Sequence, residues 1–365
     1  MLLFPEDPFF DSEAVGVVYD LLCSRLRSTG IESVQELVSL NAAELQRVTS
    51  LSKEAAQEIL RSASVLLLGG PSVTALALYQ NPLVHLKLSV GCEILDNFLR
   101  GGISCCGGIT EVAGESACGK TQLALQLLVQ VQLPAAYGGL DGKAIFINTE
   151  GDFPMKRLAQ LISIYQGRLK DLKHVIHGEN IFIEDVRTAE EMLKLVLERI
   201  EPLISVQNVR LVLIDSIAAL FRTEYENDEI SRRSEALFKL SNKLKTLSRD
   251  YVVPIVVINQ VSDMIIDNNN NNTTTNTNKQ GDQPLSPWCT KPYHPLYPMS
   301  SGRRVTPALG LTWSACVNTR VLLTRNDTGP NSTDRAMHVI FSPCLPRTTC
   351  PFVVDSMGLH GLALG

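Results

Sequence analysis

The chain has 365 residues, 45% hydrophobic and 19% charged, with a formal net charge of −5. That length suits one large α/β core plus a small extra domain, and the negative charge argues against a basic coat for nucleic acid, so any DNA contact has to be local. Nine cysteines, without a C-x-x-C pair or a histidine spacing suited to zinc, point to buried, reduced thiols and to the nucleus or cytosol.

In chain order, residues 1–19 carry acids and prolines but no basic leader, and are expected to be a tail rather than a secretory signal. Residues 20–66 place apolar side chains such as Leu21, Leu26, Ile31, Leu37, Leu45 and Leu60 at spacings suited to several short helices, a small all-α domain. Residues 67–90 form an expected linker, in which LGGPSVTALALYQNP brackets a β-compatible apolar run between Gly and Pro, as a docking strand would. From residue 91 to 365 strands and helices alternate. The strands expected are Ile109 to Ala113, Ala144 to Asn148, Ile181 to Glu184, Val209 to Ile214 and Val253 to Asn259, a mostly parallel α/β sheet with helical crossovers. The longest uncharged stretch, Thr121 to Leu140, is studded with Gln and broken by Pro134 and Gly138, so no membrane span is expected. Residues 268–278, NNNNNTTTNTN, lie within a polar, Pro-rich stretch from Ser262 to Arg304 that is expected to be a long mobile loop.

The chemistry concentrates in GESACGKT, Gly114 to Thr121, which fits G-x-x-x-x-G-K-[ST]. A β-rich run precedes it and a long apolar, Gly-free run follows it, the strand and helix that such a loop requires. Gly114, Glu115, Ser116, Ala117, Cys118 and Gly119 can then curl their amides around an anion at a helix start. Lys120 would neutralise β/γ-phosphate charge and Thr121 would hold Mg²⁺. Asp215 ends the strand RLVLID, where it serves either as a carboxylate for the water shell of Mg²⁺ or as a cap on the next turn. Glu150, after AIFINT, is a candidate general base for attacking water or a structural strand-end acid. Gln260, after VVIN, can orient a γ-phosphate or be a buried amide.

The order GESACGKT, FINTEG, LVLIDS, FRTEY, VINQV, long loop, PALGLTWSACVNTRVLL resembles the RecA-type recombinase family in its eukaryotic branch. The likeness covers roughly Leu86 to Gly361, and residues 20–66 are similar to that family's N-terminal DNA-binding domain. LSVGCEILDNFLRGG, TALALYQ, TQLALQL and SPCLP look most like one of its recombinase paralogues. The resemblance implies a RecA-like ATPase core, ATP and Mg²⁺ held by Lys120, Thr121 and Asp215, a catalytic carboxylate at Glu150 and a γ-phosphate sensor at Gln260. It also implies that Arg157 lies over adenine, and that the loops after Phe221 and after Gln260 meet DNA.

Four departures set this chain apart from filament formers of that family. The linker aromatic is missing: Ser72, Val73, Thr74 and Ala75 stand at the F-x-x-A position, leaving Val73, Ala75 or Leu76 for a different partner's pocket. The first DNA loop carries Glu226, Asp228 and Glu229, so Arg222, Arg232 and Arg233 either touch DNA or pair with those acids. The N-terminal hairpin turns on Thr49, Ser50, Leu51 and Ser52 without a glycine, which favours packing or partner contact over DNA contact. Phe341 precedes Ser342 and Pro343 where an ATP-capping Asp is expected. In the second loop Arg303 and Arg304 could meet phosphate, and Trp288, Tyr293 and Tyr297 could stack on bases or be incidental.

The expectation is an ATP-binding accessory subunit of homologous recombination, in a heterodimer with another paralogue, assisting the main recombinase filament on single-stranded or branched DNA. Hydrolysis by the isolated chain should be slow, because the stimulating groups of this family come partly from a neighbour. Two alternatives stand beside it: a self-polymerising strand-exchange recombinase, and a P-loop small-molecule kinase without a DNA role.

Overall fold

The computed structural model describes residue 31 and residues 34–68, 74–225, 229–263, 298–329 and 332–363. The chain divides into two compact units, residues 1–80 and 81–365.

In the first unit, helices α1 (Val34–Ser39), α2 (Ala42–Thr49) and α3 (Lys53–Leu68) pack on Ile31, Leu37, Leu45, Ala56 and Ala63. Asn41 starts α2 with a reciprocal cap: its side chain accepts from the Glu44 amide at 3.0 Å, and its own amide donates to Glu44 Oε2 at 2.8 Å. Ser50 ends α2 in the left-handed region, φ 57°, with its amide donated internally to the Gln46 carbonyl at 2.7 Å. The turn thus adopts the conformation that glycine would favour, but offers no free amide there.

The expected docking strand is instead a helix. Residues Ala75–Gln80 form α4, because Ala and Leu are strong helix formers and the Thr74 hydroxyl caps the Ala77 amide at 3.1 Å. Ala75 and Leu76 are exposed on it, as are Leu78 and Tyr79. Val73, residues 1–19 and most of residues 20–33 lie outside the described residues.

The second unit opens with β1 (Lys87–Leu88), α5 (Glu93–Phe98) and β2 (Ile103–Ser104), then enters the main sheet with β3 (Ile109–Gly114). Helix α6 (Lys120–Gln130) leads to β4 (Lys143–Asn148), α7 (Met155–Arg168) and β5 (Ile181–Asp185). Next come α8 (Ala189–Lys194), α9 (Ile200–Gln207), β6 (Val209–Asp215), α10 (Ile217–Thr223), α11 (Ile230–Tyr251) and β7 (Ile255–Asn259). The chain continues through β8 (Val261–Asp263), β9 (Met299–Ser300), β10 (Arg303–Pro307) and α12 (Gly310–Cys316). It closes with β11 (Thr319–Gly329), β12 (Ser332–Phe341), β13 (Thr349–Asp355) and β14 (Gly358–Gly361).

The nine-stranded sheet runs β14-β13-β12-β11-β3-β7-β6-β4-β5, parallel from β11 to β5 and antiparallel from β11 to β14. Its parallel strands are apolar on both faces because helices cover both. Phe146, Leu213 and Ile258 face one core with α6 and α7, while Ile147, Ile214 and Val257 face the other with α8 to α12. Helix α6 is apolar nearly all round, as a helix wedged into a core should be. The glutamines that punctuate it are satisfied: Gln126 donates to the Val90 carbonyl at 2.6 Å and accepts from the Leu359 amide at 2.7 Å. No helix among the described residues is long and apolar enough to cross a membrane.

Two expectations need correction. Strand β7 begins at Ile255 rather than Val253, since Val252 turns in the left-handed region and Pro254 has no amide to give a ladder. The stretch expected to be one mobile loop is strand at both ends: β8, β10 and β9 form a separate three-stranded antiparallel sheet. Its Asn/Thr tract, Trp288, Tyr293 and Tyr297 lie outside the described residues.

Candidate nucleotide-binding site

An open cleft of about 940 Å³ lies at the carboxyl ends of β3, β4, β6 and β7, lined by Gly114 to Ala117, Gly119 to Thr121, Glu150, Asp215 and Gln260. That is where open α/β sheets present ligands, because the connecting loops diverge there and helix starts point inward. The loop from β3 into α6 requires its glycines. A Cβ on Gly114 would sit 2.5 Å from Cys118 Sγ and 2.6 Å from the Leu323 carbonyl, and Gly119 has φ +114°. Ala117 also sits in the left-handed region, φ 60°. Cys118 turns away from the cleft into the core, and burial pushes its thiol pKa up.

Lys120 folds back over the loop, donating to the carbonyls of Gly114 at 2.8 Å and Glu115 at 2.7 Å. The Thr121 hydroxyl donates to Asp215 Oδ2 at 3.0 Å, so the hydroxyl and carboxylate expected around a metal are in contact. Burial pushes the Asp215 pKa up; the Thr121 hydrogen bond and the Lys120 charge oppose that, and the nearby Glu150 adds to it. The peptide from Asp215 to Ser216 is cis.

Glu150 lies near Asp215 in the same cleft. Its Oε1 accepts from the Ser216 hydroxyl at 2.9 Å and from the Gln260 amide, which in turn accepts from Arg222 at 3.4 Å. Ser216 was not foreseen: it is buried, and its backbone is locked to Thr149 by a pair of hydrogen bonds of 2.7 and 2.8 Å. Its place directly after a strand-end carboxylate was the only available signal.

Arg157 stands apart from the cleft lining. It bonds Gln122 at 2.7 Å and the carbonyls of Asp355 at 2.7 Å and Ser356 at 2.9 Å, pinning α7 to the β13–β14 turn. Arg303 reaches into the cleft, held by Glu115 at 2.8 Å and Asp263 at 2.9 Å. Arg232 pairs with Glu229, as the plainer reading allowed, while Glu226 and Asp228 lie outside the described residues. Arg233 is half-buried on α11, with a buried Nε that has no partner among the described residues. Arg304 is half-buried on β10. Arg325 and Arg335, opposite each other on β11 and β12, also line the cleft and were missed, since nothing local marks them. Phe341 closes β12 with the Arg320 guanidinium 5.0 Å from its ring centre, so an aromatic stack occupies the capping position.

The sequence pattern of the Rad51 family matches residues 83–283, and that of the XRCC3/RpoA-like helix-hairpin-helix domain matches residues 20–67. The chain is 36% identical over 348 residues to the DNA repair protein XRCC3 of Mus musculus, covering 91% of this chain and 93% of that one. It is 34% identical to the DNA repair protein XRCC3 homolog of Arabidopsis thaliana, over 75% of this chain and 92% of that one. Identity to the DNA repair protein rhp57 of Schizosaccharomyces pombe is 28%, over 97% of this chain and 98% of that one.

Proposed function

The chain belongs to the Rad51 family, and on that premise we propose that it is an ATP-binding accessory subunit of homologous-recombination DNA repair, acting with a second paralogue in the nucleus. The observation that carries the nucleotide half is the convergence of Lys120, Thr121, Asp215, Glu150 and Gln260 on one cleft. The cradle suits a polyphosphate: Gly114 leaves no room for a side chain, Gly119 holds a positive φ that glycine favours, and Lys120 rests on carbonyls that it can exchange for phosphate oxygens. Thr121 and Asp215 would hold Mg²⁺, a hard cation suited to hydroxyl and carboxylate oxygens. Bound Mg-ATP would supply a terminal phosphoryl group open to attack by water. Glu150, positioned by Ser216 and Gln260, would accept the water's proton. Hydrolysis should be slow, because Glu150 is exposed and a neighbour would be needed to exclude solvent from it.

The accessory half rests on what surrounds the cleft. Arg232 and Arg303 are engaged with acids, Ser50 commits its amide internally, and Phe341 stands under Arg320. Helix α4 exposes Leu76, Leu78 and Tyr79, an apolar face offered to a partner paralogue. The test is the molar mass of the purified chain with Mg-ATP and single-stranded DNA, alone and with a second paralogue. A monomer that becomes a discrete heterodimer supports the proposal. A large ATP-dependent polymer of this chain alone would make it a recombinase in its own right.

A further inference from the structure

The C-terminal end of the stretch from Ser262 to Arg304 returns to one carboxylate in the phosphate loop. Glu115 Oε2 accepts from the hydroxyls of Ser300 at 2.8 Å and Ser301 at 2.7 Å, and Oε1 accepts from Arg303 at 2.8 Å. The second terminal nitrogen of Arg303 donates to Asp263 at 2.9 Å, across the β8–β10 pairing. The Glu115 side chain is only 10% exposed, whereas Arg303 is 57% exposed, so the carboxylate is the fixed post and the guanidinium the movable arm. Burial pushes the Glu115 pKa up, but the hydroxyls of Ser301 and Ser300 and the charge of Arg303 outweigh it and hold the carboxyl below its usual range. The Glu115 carbonyl is also one of the two that hold Lys120. A polyphosphate drawing Lys120 off that carbonyl therefore disturbs the post, and at the same time offers Arg303, which lines the same cleft, a competing anion. Guanidinium groups bind phosphate in two-pronged fashion, so the competition is strong.

We propose that Arg303 is a nucleotide-sensing residue, which leaves Glu115 for the terminal phosphate of a bound nucleoside triphosphate and thereby frees Asp263 and loosens β8 from β10. The inference rests on the reading that Gly114 to Thr121 hold a nucleotide. Its consequence is that occupancy of the phosphate loop reaches strands that flank the second segment implicated in DNA contact.

The experiment uses the full chain, as wild type, Arg303→Ala, Arg303→Lys and Lys120→Ala, each checked for an unchanged circular dichroism spectrum. Affinities for fluorescent ATP and ADP analogues are measured with Mg²⁺, together with amide exchange over residues 261–263 and 303–307. The expected result is that Mg-ATP speeds exchange there in the wild type. Arg303→Ala should lower the preference for ATP over ADP about fivefold and abolish the exchange response, and Arg303→Lys should regain part of the preference by restoring the charge. Equal ATP preference and an equal exchange response in Arg303→Ala and wild type would overturn the inference while leaving the nucleotide site intact. Failure of the wild type to bind ATP, or unchanged binding by Lys120→Ala, would remove the nucleotide reading itself and the inference with it.

Discussion

Asn259 and Gln260 are consecutive amides at the end of β7, and they serve opposite regions of the molecule. Asn259 is fully buried and donates to Glu111 Oε1 at 2.6 Å, in a cluster completed by Trp313 at 2.9 Å and by Arg320 on Glu111 Oε2. Gln260 points the other way and donates to Glu150 in the open cleft. The residue types are the same, carboxylate and amide, but the settings differ. Glu111 is enclosed, ion-paired to Arg320 and hydrogen-bonded on both oxygens, so it ties β3, β7, α12 and β11 together and has no capacity left for a ligand. Glu150 is exposed and held from one side, which leaves it able to take a proton. Burial and saturation of hydrogen bonds separate a structural carboxylate from a reactive one.

The largest effect should come from the sealed cluster. Glu111→Ala would remove the carboxylate that the buried Arg320 guanidinium pairs with, and is expected to cost about 3–5 kcal/mol of stability, read as a large drop in denaturant midpoint. A midpoint close to wild type would mean that the cluster is wetter than its geometry indicates.

On the open side, Lys120→Ala should weaken ATP binding roughly a hundredfold, about 3 kcal/mol, without changing the stability of the ligand-free chain by more than about 0.5 kcal/mol. Isothermal titration and a urea melt on the same preparation check both statements. Glu150→Gln should keep ATP affinity and lower hydrolysis in the partner complex about a hundredfold, measured as phosphate release. Equal hydrolysis in that variant would return Glu150 to a structural role.

The smallest effect concerns Asp215. Its pKa is raised by burial, so the native chain binds this proton more tightly than the unfolded one, and stability is lost as pH rises through the native pKa. Asp215→Asn should therefore raise the ligand-free stability at neutral pH by roughly 1 kcal/mol while removing the extra stability conferred by Mg-ATP. Thermal melts with and without Mg-ATP distinguish this pattern from simple damage to the fold.

Much of the parallel half of the sheet was legible in the sequence, since β3, β4, β5 and β6 are short, largely apolar runs bounded by polar turns. The antiparallel strands β12 and β13 were harder to read. Strand β12 mixes Asp334, Arg335 and His338 with apolar neighbours, and β13 contains Pro351, which weakens any strand reading. The linker misled for a different reason. ALALYQ satisfies strand and helix preferences alike, and the Thr74 cap decided for the helix.

The sequence by itself determined the phosphate loop, the helix that follows it and the strand-end acids Glu150 and Asp215, because each is written in a few neighbouring residues whose chemistry does not depend on distant partners. Tertiary structure alone decided which side chains those groups would meet. Ser300 and Ser301 reach Glu115 across 185 and 186 residues, and Ser216 reaches Glu150 across 66. Those meetings follow from strand order. A sheet that runs β11-β3-β7-β6-β4 brings the ends of these strands to one edge, and no local pattern records which strand will lie next to which.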